Sequence, residues 1–177
     1  MIYSFIIGIK NNRNFMREYH VPSKYSLFDF KRFIVSELDF DDSQQSLFFL
    51  LDRDERKIKS YSLFDMGHGA MDMVTLEELN SNGMEKLLYT FDLFNDRSLD
   101  IEFQGETDEL PRVSYPVVAQ SKGDAPGQFS EKVDDNINGH IHVNKDENLD
   151  EDDDDDYDKD KDDDDLFDYN ELIENYL

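Results

Sequence analysis

Cysteine is absent from the 177 residues, and with it go disulfides, thiolate zinc sites, iron–sulfur ligation and cysteine nucleophiles. Stability must come from an ordinary core. Tryptophan is absent too, so the aromatic mass of that core falls to 14 Phe and 9 Tyr. Basic residues are scarce, 18 Lys and Arg against 43 Asp and Glu, for a formal net charge of −25. A chain so poor in cations lacks the surface that neutralises phosphates, which excludes a simple nucleic-acid binder. Long apolar runs are missing as well. Met1 to Ile7 is apolar, but it carries no basic flank and soon meets Lys10, Asn11 and Asn12, so it reads as a strand rather than a signal peptide or membrane span. The expectation is a soluble, cytoplasmic protein without a membrane partner.

The charge is unevenly placed. Residues 134–177 hold 20 acidic side chains against 3 Lys, a net of −17, and leave 23 against 15, a net of −8, for residues 1–133. Of the 23 Phe and Tyr, 19 lie in that first part. It alone has the composition of a folded body. Between Asp150 and Asp165 stand twelve Asp, one Glu, two Lys and one Tyr. Like charges at that density repel and offer too little apolar surface to offset backbone ordering, so residues 130–165 are expected to form a disordered linker. Beyond them Leu166, Phe167, Tyr169, Leu172, Ile173, Tyr176 and Leu177 recur at helical spacing, which predicts a short amphipathic helix over 166–177. The Asp run would sit at the positive end of its dipole.

Within the body, Ile2 to Ile9 and Phe15 to Val21 read as a hairpin around Asn11-Asn12-Arg13-Asn14. Phe15, Arg17, Tyr19 and Val21 alternate with Met16, Glu18 and His20, so one face packs and the other keeps Glu18 and His20 in water. Ser26 then opens a helix whose stripe is Leu27, Phe30, Phe33, Ile34 and Leu38, with Ser26-x-x-Asp29 as a capping box. Leu47-Phe48-Phe49-Leu50-Leu51 predicts a central strand buried on both faces, and Ile58 to Leu63 a further one. Thr75-x-x-Glu78 opens a short helix that Asn82-Gly83 ends. Leu87 to Leu93 and Ser98 to Phe103 form a second hairpin. After Gly105 three of the four prolines, Pro111, Pro116 and Pro126, break any long element, and Gly123 to Gly127 is turn chemistry. The fold class expected is α+β: a mixed or antiparallel sheet opened by a hairpin and helix, with two or three helices packed on it.

Residues that could carry chemistry are few. His140-x-His142 is the one close histidine pair, and it lacks a third ligand. Gly67-His68-Gly69 has two glycines at dinucleotide-like spacing, but Asp72 stands where the third would fall, so the loop reads as a turn needing positive φ. Asp160, Asp162, Asp164, Asp168 and Glu171 fit positions 1, 3, 5, 9 and 12 of a calcium loop, but position 6 is Asp165 instead of Gly and no helix precedes it. The most suggestive polar set in the body is Asp92, Asp96 and Arg97, for which turn hydrogen bonds and an Asp–Arg pair are the simpler reading. No nucleophile elbow is present. No cofactor or metal is expected.

Several segments together have a familiar pattern: Phe15-Met16-Arg17-Glu18-Tyr19, Ser26-Leu27-Phe28-Asp29-Phe30, Asp42 to Phe49, Leu63-Phe64-Asp65-Met66, Leu88-Tyr89-Thr90-Phe91-Asp92 with Asp96-Arg97, Ile101-Glu102 and Gly123 to Gln128. Over residues 1–129 the chain resembles the Bacteroidetes branch of the plasmid open-reading-frame-three-like family, whose members often carry an insertion-element passenger label of the TnpR type. The resemblance implies a compact α+β domain with no established activity, so it assigns no catalytic residue. Where that family tends to have Tyr-Asp-Phe-Gly-Asp followed by Trp and His, this chain has Phe91 to Asp96 with Ser98 and Asp100. The leading functional expectation is a non-enzymatic interaction module with an acidic tether and a docking peptide at Leu166, Phe167, Tyr169, Leu172, Ile173 and Tyr176. A second is a mobile-element accessory protein whose acidic tail binds a basic protein. A third is a hydrolase or metal enzyme using His20, His68 or the Asp92, Asp96 and Arg97 set.

Overall fold

The computed structural model describes residues 1–129. Seven strands and two helices follow in the order β1 (Ile2–Ile9), β2 (Asn12–Pro22), α1 (Leu27–Leu38), β3 (Leu47–Leu51), β4 (Lys57–Tyr61), α2 (Leu76–Ser81), β5 (Lys86–Asp92), β6 (Arg97–Thr107) and β7 (Val117–Lys122). The strands form one sheet in the order β4-β3-β5-β6-β1-β2-β7, and every neighbouring pair is antiparallel. The fold is therefore α+β and dominated by its sheet. No described helix is long and apolar enough to cross a membrane.

Period-2 alternation decides which face is covered. Tyr3, Phe5 and Ile7 of β1, Phe48 and Leu50 of β3, Leu87 and Tyr89 of β5, and Leu99 and Ile101 of β6 all enter one core with the helices. Into it α1 presents Leu27, Phe30, Ile34, Val35 and Leu38, and α2 adds Leu76 and Leu79. Phe30 is the hinge of this packing, 5.1 Å from the Phe5 ring and stacked at 6.1 Å on Phe48. Both capping boxes form: Ser26 with Asp29 at the head of α1, Thr75 with Glu78 at the head of α2. β3 is interior and Leu47 to Leu50 are all buried, because side chains of both parities find cover.

The sequence gives no sign of β7, where the prolines read as breaks. It is an edge strand, almost wholly exposed, so no apolar alternation marks it. Pro116 stands just before it, outside the ladder, where a missing N–H costs nothing. What holds β7 is polar and comes from β2. The buried Arg17 sends one guanidinium nitrogen to the carbonyls of Lys122 (3.1 Å) and Gly123 (3.0 Å) and Nε to Glu37 of α1 at 2.9 Å. Tyr19 donates its hydroxyl to the other oxygen of Glu37. Gly123 has φ +71, and a Cβ there would meet the Asn14 carbonyl oxygen at 1.9 Å, so only glycine lets β7 leave at this point.

Arg17 and Glu37 are both largely removed from water, with 9% and 17% of their side chains exposed. Glu37→Ala strands the guanidinium and is expected to lower the unfolding free energy by about 3 kcal/mol. Removing both charges as Arg17→Met with Glu37→Leu is expected to cost less than Glu37→Ala alone; urea denaturation of the three proteins measures both quantities.

Candidate functional site

The two described helices lie in the core on one face of the sheet, and strand residues of the other parity line the opposite face. On that face Gly8 of β1, Asp100 of β6, Leu88 of β5 and Phe49 of β3 are successive ladder partners and form one row across four strands. A cleft of about 440 Å³ opens over this region. Its floor includes Leu51, Leu88, Ser98 and Asp100; Lys10, Glu55, Lys57 and Asp96 stand around it.

Turns in left-handed conformations present three of these walls, with Asn11 at φ 66, Glu55 at φ 61 and Asp96 at φ 48. Ion pairs cross the face between them. Lys10 reaches Glu55 at 3.6 Å, and Lys57 reaches Asp96 at 3.9 Å. Lys86 holds Glu55 at 3.0 Å and Glu102 at 3.4 Å. Hydrogen bonding and charge from Lys86, then the charge of Lys10, keep the Glu55 carboxyl below its usual range. Lys57 lies over the Phe49 ring, 4.3 Å from its centre, and burial lowers its pKa against the pull of Asp96.

Asp100 differs from its neighbours. No hydrogen bond or ion pair among the described residues ties its carboxylate. Desolvation raises its pKa above the ordinary Asp value; Lys10 acts against this and Glu55 with it. A half-buried carboxylate on a cleft floor with no donor among the described side chains can accept from a ligand.

Asp92, Asp96 and Arg97 meet at one end of this cleft, but in different roles. Asp92 accepts from the Asn95 backbone N–H (3.2 Å) and side-chain amide (2.8 Å) and lies 3.8 Å from Arg97. Arg97 stacks over Phe91 and donates to the carbonyl of Gln128 at 2.9 Å and to that of Gly127. Gln128 in turn bonds the Asp41 backbone, its amide nitrogen 2.9 Å from the carbonyl. Arg97 thus fastens the end of the described chain. The histidines stand elsewhere: His20 contacts Glu18 at 3.0 Å, and His68 sets its ring edge towards Tyr61, centroids 6.4 Å apart. Gly67 and Gly69 do have positive φ, 100° and 97°, with their N–H groups on Asp65. No three His, Asp or Glu side chains among the described residues are grouped to hold a metal ion. His140, His142, the calcium-loop register from Asp160 to Glu171, and Leu166, Phe167, Tyr169, Leu172, Ile173 and Tyr176 lie outside the described residues.

The family model for the plasmid pRiA4b ORF-3-like protein matches residues 2–171. The chain belongs to this family. The plasmid pRiA4b ORF-3-like match thus runs beyond residues 1–129, which carry the sequence motifs of the resemblance. A crystal structure of a protein of unknown function from Methanosarcina mazei Go1 is similar in fold, with a TM-score of 0.62, 17% identity and 71% of each chain covered. No curated protein matches the chain. Ser98 and Asp100 both line the cleft. Lys10, Glu55, Lys57 and Gly8 had no distinguishing mark in the sequence, and Asp100 showed only the alternation that puts it opposite Leu99 and Ile101.

An untied carboxylate with a raised pKa costs stability whenever it is ionised. Asp100→Asn is therefore expected to raise the melting temperature at pH 7 by about 2–5 °C. The sign follows from the direction of the shift. Below the ordinary Asp range both folded and unfolded carboxyls are protonated and the gain vanishes; it grows as pH rises through the folded pKa. Thermal melts of both proteins from pH 3 to pH 7 measure it.

Proposed function

We propose that this member of the family, whose motifs resemble its Bacteroidetes branch, is a non-enzymatic cytoplasmic interaction module. The body serves as a rigid base, residues 130–165 as a charged tether, and Leu166, Phe167, Tyr169, Leu172, Ile173 and Tyr176 as the apolar face of a peptide that docks in a groove of a protein partner. The observation that carries this reading is the abrupt change of composition, from twelve Asp within residues 150–165 to seven apolar or aromatic side chains within the last twelve. An extended chain of 36 residues reaches up to about 120 Å, and linkage of this kind sets an effective concentration at about the millimolar scale.

The Asp run favours a second reading, in which the protein is an accessory of a mobile element and the acid itself meets a basic protein in place of DNA phosphate. One experiment separates the two. Full-length protein and a chain ending at Asp165 are used to capture partners at low and high salt. Docking through the peptide predicts that truncation abolishes capture and that salt has little effect. Capture that survives truncation, falls with salt and is competed by DNA assigns the contact to the acid run. Capture and body stability indifferent to both changes would sink both readings.

A further inference from the structure

The row Gly8, Asp100, Leu88 and Phe49, of which Asp100 and Leu88 line the cleft, places charge as well as apolar surface. Neighbouring strands lie about 4.8 Å apart, so Asp100 and Phe49, separated by the β5 strand, stand about 10 Å from each other. Above Phe49 sits the Lys57 ammonium, 4.3 Å from the ring centre. A carboxylate at one end, an aliphatic side chain in the middle and an ammonium at the other end therefore share one line across the cleft. Space has been left at the carboxylate end. Gly8 pairs directly with Asp100, its φ lies outside the left-handed region, and a Cβ built on it meets nothing within 4 Å. Neither backbone conformation nor crowding requires glycine at this position; its effect is to keep the space beside Asp100 open.

Charge selects the class of ligand. The cleft sets Lys10, Lys57 and Arg97 against Glu55, Asp96 and Asp100, a local balance of zero in a chain of net charge −25. A net anion would be repelled by the field of the whole chain, whereas a simple cation is drawn in by that field but gains nothing from Lys57. A molecule carrying both charges adds a contact at Lys57 to the one at Asp100. The volume, about 440 Å³, falls within the range of small-molecule sites.

We propose that this cleft binds a short zwitterion, its ammonium group at Asp100, its apolar stem across Leu88 and its carboxylate at Lys57. Charges about 5–9 Å apart, lying above the two side chains, span the row, a separation offered both by dipeptides and by ω-amino acids of five to six carbons. The site is independent of residues 166–177, so it stands or falls separately from the docking reading.

Isothermal titration calorimetry on the full chain tests it with four probes: 6-aminohexanoate, Ala-Ala, hexylamine and hexanoate. The two singly charged probes are expected to bind at least about 10-fold more weakly than the better zwitterion. Whichever zwitterion binds more tightly identifies the source, peptide or ω-amino acid. Asp100→Asn and Lys57→Met are each expected to weaken the zwitterion by about 10-fold or more, and Gly8→Val to block it. Asp100→Asn keeps the test decisive even if Gly8→Val fails to fold, since its melting temperature is expected to rise. Absence of binding by both zwitterions at 10 mM, hexylamine or hexanoate binding as well as they do, or an Asp100→Asn protein that binds unchanged would each overturn the proposal.

Discussion

The two helices among the described residues, of twelve and six residues, cannot cover both faces of a seven-stranded sheet, and the rest of the described architecture follows from that constraint. Every large apolar side chain of strand parity Tyr3, Phe5, Ile7 goes under α1 and α2, where Phe30 connects the rings of β1 and β3. The other parity must satisfy itself. It does so with ion pairs across the face, with Thr90 and Ser98 bonded side by side at 2.9 Å, and with Glu18 shared between Ser4 and His20. A surface built this way mixes ion pairs with apolar side chains such as Leu51 and Leu88, and where a side chain is small, as at Gly8, or left untied, as at Asp100, it has room and capacity for a ligand.

The outer strands depend on polar anchors rather than on burial. Arg17 sits in the same alternation as Phe15, Tyr19 and Val21 and so must be buried, and it is tolerable there because Glu37 and three backbone carbonyls surround its guanidinium. That one side chain joins β2 to α1 and to the end of β7. Arg97 does similar work thirty residues from the chain segment it holds, binding Gly127 and Gln128 against the rim of the cleft. In both cases an arginine closes a segment that buries little apolar surface of its own.

The parts of this fold governed by local chemistry were legible in the sequence. Ser26 with Asp29 and Thr75 with Glu78 mark helix starts because a cap is a contact over three residues, and Leu47 to Leu51 announces an interior strand by composition alone. β7 was not legible, since an exposed edge strand held by a distant arginine leaves no period in its own residues. The cleft was less legible still. Asp92, Asp96 and Arg97 stand out as a cluster within six residues, and two of them do line it, but Lys10, Glu55, Lys57 and Asp100 come from three separate hairpins and are brought together only by the strand order. The histidines drew attention by residue type; His20 contacts Glu18, His68 faces Tyr61, and neither lines the cleft.

The central claim is that Asp100 is an untied carboxylate on the floor of a binding cleft, and the titration of that carboxyl group tests it most directly. Carbon-detected NMR of the Asp100 side chain should give a midpoint above the ordinary Asp value of about 3.9, set by desolvation, and saturation with 6-aminohexanoate should lower it as an ammonium group comes to rest beside the carboxylate. A midpoint at the ordinary value that does not move with the zwitterion would contradict the account.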